Sequence, residues 1–173
     1  GNHDWDGQDV DGTPIAESFR HHVPGPLHYA VERAGVLLVC VANGLVRPAD
    51  VRRFLPRARR ARAVALLCHY ALDDAIWTDA LRAAVAELAP TAVFTGHTHR
   101  LDWRRAMGID QFIGAALAWT FTGDEAWTGY FLHSFHGGRL VSRFKRLGID
   151  DLFFTTVTPY ARPGRPRRPE EYA

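Results

Sequence analysis

Three short clusters carry side chains able to hold a metal or move a proton. They are Asn2, His3 and Asp4 in Gly-Asn-His-Asp, His69 after an apolar run, and His97 and His99 in Gly-His-Thr-His. Neutral imidazoles, with amide and carboxylate oxygens nearby, suit Zn, Mn or Fe. Each cluster alone is weak. A single histidine after a strand is more often structural than a ligand, and Gly-Asn is an ordinary turn pair. Together they carry more weight, because a given tetrapeptide arises by chance about once per 10⁵ positions. His97 and His99 stand two apart, so in extended backbone they would point to the same side.

The elements around these clusters place them at strand ends. "AVALLCHY" (63–70) reads as a buried strand ending at His69, and "TAVFTGHTH" (91–99) as a strand ending at Gly96. Residues at the carboxyl ends of strands are rigidly based and open to a ligand. Upstream, "LHYAVERAG" and "VLLVCVAN" read as a hairpin broken at Gly35. Pro48 and Asp50 open a helix that Pro56 kinks or restarts. Residues 73–90 are the strongest helix, with Asp73 or Asp74 as cap and Pro90 as stop.

After residue 100 the pattern becomes a run of strands, with Gly137-Gly138 as a hairpin turn. The whole is an α/β layered domain with mixed sheets. Residues 5–26, rich in Gly, Asp, Pro and His, read as a long irregular loop, with Arg20, His21 and His22 as candidate phosphate or leaving-group contacts. "RPGRPRRPEEYA" is a Pro/Arg-rich tail of extended or disordered type.

Composition narrows the function classes. With 173 residues, 47% hydrophobic and 23% charged, the chain can bury one sizeable core. A net charge of +2 argues against a long polyanion as partner. Arg52, Arg53, Arg57, Arg59, Arg60 and Arg62 read as a solvated helix face. No apolar run is long enough to span a bilayer. Cys40 and Cys68 sit in apolar runs and read as buried free thiols, which suits a reducing, cytoplasmic setting. Trp103, Trp119 and Trp127 can stack on a nucleobase, but aromatics in such strands are more often core.

In order and placement, Gly-Asn-His-Asp, a strand ending in His69, and Gly96-His97-Thr98-His99 resemble the calcineurin-like metallophosphoesterase superfamily. "LLCHYAL" is similar to that family's strand followed by His-His-Pro or His-Tyr-Pro, with Ala71 where Pro is usual. The resemblance implies a four-layer αββα sandwich over residues 1–160, with 161–173 as a tail, and a later meander similar to the family's second sheet. It further implies that Asn2, His69 and His97 bind one metal and His99 the other. His3 would assist the leaving oxygen, oriented by Asp4.

Two divalent or trivalent ions (Mn, Fe, Zn or similar) would clamp phosphate oxygens and activate a bridging water against a small phosphorylated substrate. The family's Asp-x-His and Gly-Asp-x-x-Asp motifs do not precede Gly1. The expectation is therefore an N-terminally truncated domain, lacking the first strands of one sheet. It would bind at most one metal and have little activity alone. The alternatives are a non-catalytic single-metal or scaffold relative, and a nucleic-acid binder resting on the basic tail.

Overall fold

Strand β1 (Tyr29–Arg33) turns back into β2 (Val36–Cys40) as an antiparallel hairpin. The turn is Ala34-Gly35, with φ of 48° and 75°. Two consecutive positive φ values match the twist of the flanking strands. Gly35 is favoured there by its φ of 75°, and a Cβ would in addition make the Arg62 side chain shift, its Nε being 2.7 Å away. The computed structural model describes residues 25–42, 44–114, 128–146 and 152–159. Asn2, His3, Asp4, Arg20, His21 and His22 lie outside the described residues, as do Trp119, Trp127 and the tail.

Helix α1 (Pro48–Arg52) and the short α2 (Leu55–Ala58) follow, and Pro56 lies in the first turn of the restarted helix, as expected. The arginines of this stretch are not simply a solvated face. Arg53 donates to the carbonyl of His28, and Arg57 donates to that of Ala30 at 3.0 Å. Arg52 pairs with Glu87 at 2.7 Å.

Strand β3 (Ala63–Leu67) is buried along nearly its whole length. Helix α3 spans Asp79–Leu88, shorter than its apolar periodicity suggests. Its cap is Thr78, whose Oγ1 accepts from the Leu81 amide at 3.3 Å, and not Asp73 or Asp74. Asp74 instead accepts from the Ile76 amide at 3.1 Å, a local turn that competes with helix. Ala89 ends the helix with φ of 49°, one residue before Pro90.

Strands β4 (Ala92–Thr95), β5 (Asp102–Ala106) and β6 (Ile109–Ile113) complete a six-stranded sheet of order β1-β2-β3-β4-β6-β5. The inner strands β2, β3, β4 and β6 run parallel, and β1 and β5 are antiparallel edges. Strands β5 and β6 therefore belong to the first sheet, not to the second-sheet meander expected after residue 100. The reason lies in burial: Asp110, Gln111, Phe112 and Ile113 are all buried, as in a central parallel strand covered on both faces.

Strands β7 (Gly129–His136), β8 (Arg139–Arg146) and β9 (Leu152–Pro159) form a separate antiparallel sheet. The expected Gly137-Gly138 turn joins β7 and β8, with φ of 54° and 73°.

One face of the large sheet, with Leu37, Val39, Val64, Leu66 and Val93, packs against Val51, Leu81, Val85 and Leu88 of the helices. On the other face, Ala92, Phe94 and Phe112 meet Phe131, Phe135 and Leu140 of the small sheet. Between the sheets, Asp110 accepts from Thr158 Oγ1 at 2.7 Å and from Arg105 Nε at 3.0 Å. The described residues thus build three layers, helix on sheet on sheet; a fourth layer is not among them.

Candidate metal site at the strand ends

The mouth of the site lies at the carboxyl ends of β2, β3, β4 and β6. Backbone bonds carry the ladder past the strands. The Cys68 amide donates to Phe94 O and the Gly96 amide to His69 O, both at 3.1 Å, and the Gly114 amide donates to Thr95 O at 2.9 Å. His69 and His97 therefore leave adjacent strands at matching heights. Nδ1 of His97 stands 3.2 Å from Nε2 of His69. The Tyr70 ring lies against His97, with centroids 4.3 Å apart.

His97 has φ of 70°, and the Thr98 amide donates to Gly96 O at 2.9 Å. That combination is the γ-turn of positive φ, a rare and strained conformation outside glycine. His99 is also left-handed, with φ of 57°. Strain of this kind costs of order 1–3 kcal/mol per residue and concentrates at functional sites. It also corrects the sequence expectation for this pair. The backbone from 97 to 99 is not extended, so the alternation that would align the two rings does not apply. His97 instead meets His69.

The loop after β2 reaches the same mouth, with the Val41 amide donating to Leu67 O at 3.0 Å. It is anchored by buried His28, whose Nδ1 accepts from the Ala42 amide at 3.1 Å. Burial pulls the His28 pKa down, opposed by the Asp50 carboxylate 3.9 Å away, so the ring keeps the neutral form this bond needs. Sequence reasoning missed His28, because nothing in "PLHYAV" separates it from an ordinary strand-edge residue. Of the cysteines, both free, Cys68 lies next to His69, but burial pushes its thiol pKa upward, away from the thiolate that binds metals. Trp103 is half-exposed, against the core role expected for it.

Two nitrogens bound at roughly 2.1 Å in a tetrahedral shell stand about 3.4 Å apart. The 3.2 Å spacing of the His69 and His97 nitrogens is that of a ring-to-ring hydrogen bond and is also compatible with a shared ion. Among the described residues no three His, Cys, Asp or Glu side chains gather as a metal site, so His99 does not join the pair. Asn2, the remaining ligand expected for that ion, lies outside the described residues.

No family model matches the chain, and no curated protein matches it. Solved structures do. GAP50, the anchor in the inner membrane complex of Plasmodium, aligns with a TM-score of 0.55 at 9% identity, over 78% of this chain and 54% of its own. Vacuolar protein sorting 29 from Cryptosporidium parvum aligns at 0.41 and 13% identity, over 79% and 58%. A predicted phosphoesterase from Streptococcus pneumoniae aligns at 0.35 and 10% identity, over 71% and 97%. The chain thus spans little more than half of the first two proteins. At these identities the likeness to GAP50 is one of fold.

Proposed function

We propose that this chain carries part of the active site of a metal-dependent phosphoester hydrolase, acting on a phosphomonoester or phosphodiester. The observation that carries the reading is the chelating spacing of His69 and His97, on neighbouring strand ends within motifs that occur in the expected order. His69, His97 and Asn2 hold one ion, and His99 serves a second. A bound ion supplies positive charge that draws phosphate oxygens to the strand ends and offsets charge developing in the transition state. His3 donates a proton to the leaving oxygen, and Asp4 fixes its ring by hydrogen bonding. Arg20, His21 and His22 contact the phosphate or its leaving group. The four-layer αββα sandwich is part of the same reading.

Titration of the chain with Co²⁺, followed by its visible absorption, tests the assignment. His69→Ala, His97→Ala and Asn2→Ala are each expected to weaken binding at least tenfold. Unchanged binding in all three would refute it. Hydrolysis of p-nitrophenyl phosphate and its bis ester reports the chemistry separately.

A second reading, a non-catalytic scaffold relative, takes its support from the likeness to an anchor protein. It predicts metal binding without turnover when the chain is assayed within its complete protein.

A further inference from the structure

Gln111 is fully buried in the middle of β6. A buried amide is costly unless both of its ends are satisfied. Here both ends serve a single segment, the turn that follows His69. Oε1 accepts from the Leu72 amide at 2.6 Å, and Nε2 donates to Asp73 Oδ1 at 3.4 Å. Strand β6 is not a neighbour of β3; β4 lies between them. The connection from β3 to α3 therefore crosses β4, and Gln111 receives it on the far side.

Other side chains, one of them fully buried, grip the same turn. The indole of Trp77, 1% exposed, donates from Nε1 to Tyr70 O at 3.2 Å, and the Cys68 thiol reaches the same carbonyl at 3.4 Å. Arg82 donates from Nε to Leu72 O at 3.1 Å and from Nη2 to Asp74 O at 3.0 Å. The His69 carbonyl accepts from the Gly96 amide of the β4 ladder. The direction in which its ring leaves the strand is set by where residues 70–73 are held.

We infer that Gln111, seconded by Trp77, is a positioning residue that sets the His69 imidazole against His97. The inference rests on the metal-site reading for its purpose, but its geometry can be measured without metal. β6 then braces both halves of the pair: its end bonds β4 through Gly114 and Thr95, and its middle holds the turn after β3.

The test uses the chain as it stands. NMR would record ring-to-ring NOEs between His69 and His97 in metal-free protein, and Co²⁺ titration would give affinity. Gln111→Met keeps the volume and removes both bonds. It is expected to lose the NOEs and to weaken Co²⁺ at least tenfold. Gln111→Glu paired with Asp73→Asn restores both bonds with donor and acceptor exchanged at residue 73, and should recover NOEs and affinity to within threefold. Trp77→Phe removes only the indole donor and should weaken Co²⁺ threefold or more; it decides the matter if Gln111→Met does not fold.

Retained NOEs in Gln111→Met, a double variant no better than Gln111→Met, or absent NOEs in the parent would each overturn the inference. A parent chain that shows the NOEs but binds no Co²⁺ would instead sink the metal reading and leave the positioning role standing.

Discussion

His97 holds a conformation that its side chain makes unfavourable, and it does so with its ring 3.2 Å from that of His69. That His69 and His97 follow the ends of apolar strands was legible in the sequence. Their direct contact was not legible, because it depends on a γ-turn whose φ no periodicity reveals. A different histidine shows what burial alone does. His133 of β7 stacks on Phe94 with centroids 3.9 Å apart, lies near Phe112 and Phe131, and meets the Ser142 hydroxyl through Nδ1 at 2.8 Å. Burial lowers its pKa from 6.5 to about 4. The unfolded chain takes up the proton first, so the stabilisation is complete above pH 6.5 and is lost as pH falls from there towards 4. After allowance for partial solvent access the loss is on the order of 2 kcal/mol. Urea midpoints between pH 7 and pH 4 should therefore fall more steeply for the parent than for His133→Gln.

At the scale of elements, strand type was read well wherever turn chemistry punctuated the apolar runs. Gly35 and Gly137-Gly138 mark hairpins because two-residue turns need positive φ. Helix limits were read less well. Residues 73–77 were expected to open α3 but are consumed by side-chain bonds involving Asp74, Gln111 and Arg82. Those bonds come from distant strands and from competing local turns, which a pattern of apolar positions does not report. The true cap has a measurable consequence. Thr78→Ala should cost about 1 kcal/mol in urea denaturation, and Asp73→Ala should leave the start of α3 unchanged by amide exchange.

At the scale of the molecule, the sheet assignment was the least legible feature. β6 is separated from its parallel partner β4 by the whole of β5, and pairing across such a gap leaves no local trace. The arginine-rich stretch likewise gains its meaning only from what it faces. Arg57 occupies a carbonyl of β1, an edge of the six-stranded sheet, and Arg53 the carbonyl just before it. Capped carbonyls cannot template another strand. Arg53→Ala with Arg57→Ala should shift the chain towards dimers and larger species in analytical ultracentrifugation, with the parent less associated at equal concentration.

The inter-sheet bond from Thr158 to Asp110 works in the opposite sense, by demanding one particular neighbour. Side chains alternate sides along a strand, so sliding β9 by a single position would turn Val157, now outward, onto that carboxylate. The displaced threonine would leave Asp110 Oδ2 facing hydrocarbon, with only Oδ1 still held by Arg105. A lone aspartate thus acts as a key that admits one alignment of the small sheet and rejects its nearest impostor.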